Sequence, residues 1–326
     1  MKAFRKITAA LLAVLMLISL TACSDKTEIE STEPLTEAFD SYIRSEKTKI
    51  AAPNGPVGFG ITKFSVDRAY NYETSFFDSV DEVGTLIKNG GADIAFLPVD
   101  YAARVYNETS GAIQLLAVTS LGFYYVVENG EKIQSISDLK GKTVYAAYKG
   151  TAYEAVINYI LAENSIDPEK DIDLQFKSSD VEVANLSGSE DSVICILPEP
   201  YASKVLNNNK SFRRALDFND EWDKISETPL AQSVIVARTE YINANPDIIK
   251  EFISYNKISV NYLNTNTYGA PVFLKESGFC ETALLATLLI PALNLSFISG
   301  EDMKSAVSSV LTNVYEINVD DAFYYI

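Results

Sequence analysis

Leu97-Pro98-Val99-Asp100-Tyr101-Ala102-Ala103-Arg104-Val105-Tyr106-Asn107 and Leu197-Pro198-Glu199-Pro200-Tyr201-Ala202-Ser203-Lys204-Val205-Leu206-Asn207 are two copies of one pattern, 100 residues apart. Six of the eleven positions are identical, and a seventh keeps its positive charge. Each copy follows a short apolar run, Asp93–Leu97 in the first and Val193–Leu197 in the second. Runs this short, without polar alternation, suit strands buried on both faces of a parallel sheet. After each proline the apolar spacing becomes helical. Each copy therefore predicts a strand, a proline-containing turn and a helix.

A second echo lies upstream of each. Lys49–Ala52 is followed by Pro53-Asn54-Gly55-Pro56, and then by Val57, Ile61 and Phe64 at helical spacing. Thr143–Ala147 is followed by Tyr148-Lys149-Gly150-Thr151, and then by Val156, Tyr159 and Ile160. Both read as strand, glycine turn, helix. Pro56 suits a first helical position, and Asn54 or Thr151 is placed to cap free backbone donors. Further strands are expected at Ile113–Val118, Tyr124–Glu128, Asp173–Lys177 and Ser233–Ala237. Ser79-Val80-Asp81-Glu82 reads as a capping box closed by Gly90, and Asn245-Pro246 opens a long helix. The pattern is α/β: two mainly parallel sheets flanked by helices, one unit used twice.

The chain is expected to cross between two lobes near Thr119–Phe123 and again near Thr228–Gln232. Residues 45–120 and 233–326 would form the first lobe, and residues 121–232 the second.

The N-terminus suggests a compartment. Lys2, Arg5 and Lys6 precede an apolar run, Ala9–Leu20, too short for a comfortable transmembrane helix. Leu20-Thr21-Ala22-Cys23 follows and resembles the lipobox of bacterial lipoproteins, in which the cysteine is lipidated and becomes the first residue. Residues 1–22 are then a signal peptide. Residues 23–44, polar and acidic over Ser24–Glu37, form a flexible tether that holds the protein to the membrane.

Composition narrows the function. The formal net charge is −17, and −20 without the three N-terminal cations. Such a surface repels phosphates and argues against nucleic acid as a partner. There is no histidine, which removes Ser-His-Asp triads, Cys-His dyads and His-ligated metal sites. No metal or cofactor is expected. Beyond Cys23 only Cys195 and Cys280 remain, both in apolar surroundings that suit buried free thiols.

Ligands of open α/β sheets sit beyond the carboxyl ends of the strands, where the four paired turns fall. Asn54, Gly55, Pro56 and Val57 in the first lobe, with Gly150, Thr151 and Ala152 in the second, offer helix-start N–H groups to a ligand acceptor. Val99, Asp100, Glu199 and Tyr201 approach from neighbouring strands, and Ser120 from the first crossing. Tyr124, Tyr125, Tyr148 and Tyr153 are candidate stacking rings. Taken singly, each turn reads as ordinary structure; their pairing at matched positions is what points to a cleft.

Four segments carry a family resemblance. Leu139-Lys140-Gly141-Lys142-Thr143-Val144 with Gly150-Thr151, Ile196-Leu197-Pro198-Glu199-Pro200-Tyr201, Gly91-Ala92-Asp93-Ile94-Ala95 and Asn245-Pro246-Asp247-Ile248-Ile249-Lys250-Glu251-Phe252 resemble, in order and spacing, the type II periplasmic-binding-protein fold. Within it they are similar to the nitrate/sulfonate/taurine and thiamine-pyrimidine-precursor binding proteins. The resemblance implies a monomeric Venus flytrap that hands a small molecule to an ABC permease with a cytoplasmic ATPase. Lys149 is the one cation adjoining a key turn, whereas Asp100 and Glu199 favour a ligand with donor groups. Two rival readings belong to the same fold: a ligand sensor without transport, and an exported enzyme with Asp100 and Glu199 as its acid/base pair.

Overall fold

The computed structural model describes residues 43–188 and 193–326. The N-terminal segment, including Cys23, lies outside the described residues. In chain order the elements are β1 (Thr48–Pro53), a 3-10 turn (Pro56–Ile61), α1 (Thr62–Asp67), β2 (Tyr72–Phe77), α2 (Val80–Asn89), β3 (Ile94–Pro98), α3 (Val99–Glu108), β4 (Ile113–Leu121), β5 (Tyr124–Asn129), β6 (Thr143–Ala147), α4 (Ala152–Glu163), β7 (Asp173–Lys177), α5 (Asp180–Asn185), β8 (Ile194–Pro198), α6 (Tyr201–Asn208), β9 (Phe212–Asp217), α7 (Phe218–Trp222), β10 (Ala231–Arg238), α8 (Thr239–Ala244), α9 (Pro246–Thr265), α10 (Gly269–Glu276), α11 (Ala283–Ala292), β11 (Leu295–Ile298) and α12 (Glu301–Asn313).

They build an α/β fold of two sheets flanked by helices. The first sheet has the order β11-β4-β10-β3-β1-β2, the second β7-β6-β8-β5-β9. Both sheets are mixed, which corrects the expectation of mainly parallel ones. Only β2-β1-β3 and β7-β6-β8 pair in parallel; in the first sheet β10 runs against β3, β4 against β10 and β11 against β4, and in the second β5 runs against β8 and β9 against β5. The reason lies in the crossings. β5 and β10, which arrive from the other sheet, start where the parallel strands end and so run against them.

The first sheet is buried on both faces. Ala51, Ala95, Leu97, Val234 and Val236 pack on one side, and Ile50, Ala52, Ile94, Phe96 and Ile235 on the other. Side chains of a strand alternate between faces, so two apolar faces require the unbroken apolar runs seen in the sequence. On the second side Phe64 stacks edge-on against Tyr72 and Phe252, with ring centroids 4.8 and 5.1 Å away. Phe252 comes from α9, which starts at Pro246 as the sequence predicts. Helix α2 also forms where expected and ends on Gly90 at φ 80°. Its cap is one-sided, with the Ser79 hydroxyl accepting from the Asp81 N–H; a reciprocal capping box forms instead at Ser135 and Asp138.

Cys195 and Cys280 are buried, and among the described residues neither forms a disulfide. Among the described residues no helix is long and apolar enough to cross a membrane, and α11 ends one residue after Pro291.

The chain passes from the first sheet to the second between β4 and β5, through Gly122 and Phe123, and returns through α7 and the loop before β10. Gly122 is clamped: its N–H donates to Asn219 Oδ1 at 2.9 Å, and its carbonyl accepts from Asn219 Nδ2 and, at 2.7 Å, from Asn294 Nδ2. One side chain from the return segment thus pins the outgoing one. Asn219→Ala is expected to destabilise the protein by about 1–2 kcal/mol, read from the urea midpoint, since the Gly122 N–H loses its partner and the Gly122 carbonyl keeps only Asn294.

Candidate functional site

Each of the four paired turns is held by local chemistry. After β1, Gly55 adopts φ 97° and Pro56 opens the 3-10 turn. Gly58 is also required here: a Cβ would lie 2.0 Å from the Pro53 carbonyl oxygen. After β6, Tyr148 and Gly150 take positive φ of 55° and 79°. β3 ends in Pro98 and leads directly into α3, whereas β8 ends in Pro198 and leads through Glu199 and a cis Pro200 into α6.

Neither predicted helix cap forms. The Asn54 amide donates to Asp78 Oδ1 at 2.7 Å, tying the turn to the end of β2. The Thr151 hydroxyl donates back to the Tyr148 carbonyl at 2.7 Å. Asn54 is drawn across to the end of β2 and Thr151 back into its own turn, so neither reaches forward.

The turns line one cavity of about 740 Å³. Asn54, Pro56, Val57 and Asp100 line it from the side of the first sheet, and Gly150, Thr151, Ala152, Glu199 and Tyr201 from the side of the second. Three candidates fall elsewhere. Gly55 gives the turn its conformation without lining the cavity. Val99 points into the core, because it is the first residue of α3 and faces the sheet. The Ser120 hydroxyl is buried against the Ser233 hydroxyl, 2.7 Å away, where β4 pairs with β10. Of the candidate rings, Tyr124, Tyr148 and Tyr153 line the cavity, but Tyr125 turns away and donates to the Ala292 carbonyl at 2.8 Å.

The carboxylates differ in their freedom. Glu199 is fully buried and already engaged: Oε1 accepts from Arg214 Nη2 at 2.5 Å, and Oε2 from the Ser203 N–H at 3.0 Å. Burial raises its pKa, and Arg214 opposes the rise. Its role is to knit β8, α6 and β9 together, which corrects the reading of Glu199 as a ligand acceptor and as half of an acid/base pair. Asp100 is only 1% exposed. Its Oδ2 accepts from Arg104, one helical turn on, while Oδ1 has no partner. Burial raises its pKa; Arg104 and the backbone N–H groups of Tyr101 and Asp100 hold it down.

Of the lining residues that escaped the sequence reading, three carry the chemistry of the cavity. Arg104 is the sole Lys or Arg among the described residues that line the cavity, which displaces Lys149 from that role. Phe123 lies on the first crossing, its ring 5.0 Å from that of Tyr124, which in turn lies 4.6 Å from Tyr153. Asp180 starts α5, is 7% exposed and leaves Oδ1 without a partner. Burial pushes its carboxyl up to about 7. The signal for Asp180 was present: Ser178-Ser179-Asp180 follows the predicted strand Asp173–Lys177, at the end where ligands collect. Among the described residues no three His, Cys, Asp or Glu side chains are grouped to share a metal ion.

Comparison with known proteins agrees with this geometry. A family described as "ABC transporter, phosphonate, periplasmic substrate-binding protein" matches residues 67–242, more than half of the chain. The chain belongs to that family. A curated relative, the putative binding protein YtlA of Bacillus subtilis, is 29% identical over 178 residues; the match spans 53% of this chain and about half, 51%, of that protein. An ABC transporter structure from Parabacteroides distasonis superposes with a TM-score of 0.72 at 20% identity, over 86% of this chain and 99% of that one. The periplasmic aliphatic sulphonate binding protein SsuA of Escherichia coli gives 0.64 at 13% identity, over 86% and 96%. At these identities the likeness is one of fold. It is the family's two-sheet fold, and the family and these neighbours are described as binding or transport proteins rather than enzymes.

Proposed function

We propose that this protein captures a small molecule between its two lobes, outside the cytoplasm, and delivers it unchanged to an ABC permease with a cytoplasmic ATPase. The observation that carries the reading is the cavity itself. Its volume falls within the range of small-ligand sites, and its walls come from turns of both sheets. The two passages between the sheets, one clamped by Asn219, offer a hinge about which such lobes close on a ligand. The lobe division proposed is 45–120 with 233–326, and 121–232. Nitrate, sulfonates, taurine and pyrimidines are the ligand classes that the family resemblance raises. Native mass spectrometry of the protein taken from its producing cells tests the reading. One stoichiometric, chemically unchanged small molecule supports it; turnover of that molecule would make the protein an enzyme.

The membrane anchor is proposed to be a lipid on Cys23. Cys23→Ser is expected to move the protein from the membrane fraction into the soluble extracytoplasmic fraction. Retention in the membrane fraction would rule out the lipid.

A further inference from the structure

We infer that the cleft is built for a cationic ring compound, an arylalkylamine or aryl amidine, and selects against anions such as phosphonates and sulfonates. This rests on the cleft being the capture site and concerns the charge of what it captures.

The first observation is that the helix starts an anion would use carry carboxylates of the chain itself. Anions bind protein backbone at helix N-termini, where N–H groups lack partners. Four helices of eight or more residues begin at the cleft, α2, α3, α4 and α6, and each has a carboxylate of the chain in or beside its first turn; at α2 these are Asp81 and Glu82. At α4, Glu154 Oε2 accepts from the Gly150 N–H at 2.5 Å. At α6, Glu199 Oε2 accepts from the Ser203 N–H at 3.0 Å. At α3, Asp100 occupies the first turn with its side chain buried. A phosphonate would have to displace these groups or lie against them.

The second observation is that two carboxylate oxygens are left over. Asp100 Oδ1 and Asp180 Oδ1 are buried, without partners, on residues that line the cavity. Buried polar atoms are rarely left unpaired, and exceptions call for an absent partner. The two residues belong to different lobes: Asp100 to α3 beside the first sheet, Asp180 to α5 beside the second. A donor-bearing ligand that satisfies both also bridges the lobes, which is what closure requires. The groups acting on Asp180 are Tyr124, Tyr148, Tyr153 and Tyr201, none cationic at neutral pH. Those acting on Asp100 are Arg104, Tyr124 and Tyr315. No cation of the chain pairs with Asp180 among the described residues, so the ligand is the natural source of one.

The third observation is the aromatic wall. Phe123, Tyr124 and Tyr153 line the same cavity as the two acids. Such rings favour a flat ring and a neighbouring positive charge.

The test is calorimetry on the full chain in detergent, with probes that share a benzyl or phenyl body: benzylamine, benzamidine, benzyl alcohol, benzylphosphonate and benzenesulfonate. The two cations are expected to bind about tenfold or more tightly than the alcohol, one charge-assisted hydrogen bond being the difference. Asp180→Asn and Asp100→Asn are each expected to weaken the cations by roughly 10- to 100-fold and to leave benzyl alcohol within about twofold. Asp180→Asn, which removes a buried charge, keeps the test informative should the Asp100 variant fail to fold. Cation affinity is also expected to rise as pH climbs towards about 7, where Asp180 ionises. Tighter binding of either anion, or cation affinity unchanged in Asp180→Asn, overturns the inference and leaves the capture site standing. Silence of every probe, charged and neutral alike, overturns both.

Discussion

Arg214→Met is expected to destabilise the protein by about 3–5 kcal/mol, because it strands the Glu199 carboxylate in the interior without its counter-ion. Arg214 reaches Glu199 Oε1 at 2.5 Å and the Ser203 hydroxyl at 2.6 Å. It also contacts the Leu288 carbonyl of α11 at 3.4 Å, and its guanidinium lies 4.9 Å from the centre of the Tyr125 ring. Glu199 itself has no exposed surface. In a domain of this size the loss corresponds to a fall in Tm of roughly 10 °C. A double variant, Glu199→Gln with Arg214→Met, is expected to recover part of the loss, since an amide needs no counter-ion. Chemical denaturation of the single and double variants decides the matter. A loss below about 1 kcal/mol for Arg214→Met would place the pair among ordinary surface ion pairs.

The second large effect concerns pH. The Asp180 carboxyl is pushed up to about 7 by burial, against about 4 for an ordinary aspartate. Below about pH 4 the folded and unfolded chains both hold the proton, so Asp180 contributes nothing to pH dependence there. Between about pH 4 and 7 the unfolded chain releases the proton while the folded chain retains it, and stability falls as pH rises. Above about pH 7 the full penalty is present and constant. Asp180→Asn removes it. The variant is expected to match the wild type near pH 4 and to exceed it near pH 8 by roughly 2–4 kcal/mol, the lower figure allowing for water in the cleft. Denaturant midpoints for both proteins across this range give the answer. A constant difference at all pH values would mean that Asp180 ionises normally. Asp138, whose pKa is lowered by hydrogen bonds from Gln134 and Ser135, and Glu182, lowered by those from Ser178, act in the opposite sense. They are common to both proteins, so the comparison cancels them.

How far the sequence led can be traced residue by residue. The four turns were legible because proline, glycine and apolar runs act locally, and the repeat placed them in pairs. Helix α9 was legible from Asn245-Pro246. Strand β9 was not: Phe212-Arg213-Arg214-Ala215-Leu216-Asp217 carries two arginines and reads as surface, yet Arg213 and Arg214 serve Glu128 and Glu199. Such pairings depend on strand neighbours far apart in sequence. For the same reason Glu199 looked available and was not. The direction of β10 was also hidden, since an apolar run has no preferred sense until its neighbours are known. Asp180 was missed for a simpler reason: a Ser-Ser-Asp helix start is common, and nothing local tells a buried aspartate from a solvated one.

The place of β10 between β3 and β4 has a consequence for how the chain is made. Synthesis runs from the N-terminus, and the five strands of the second sheet all lie between Tyr124 and Asp217. That sheet has every strand it needs before Ala231 is added. The first sheet, although begun earlier, cannot join β3 to β4 until Arg238 has been made. During that interval its two halves present bare, apolar edges, the kind that recruit chaperones or pair wrongly. The half that starts first is therefore finished last. A stalled or clipped nascent chain would leave a complete second sheet beside an unclosed first one.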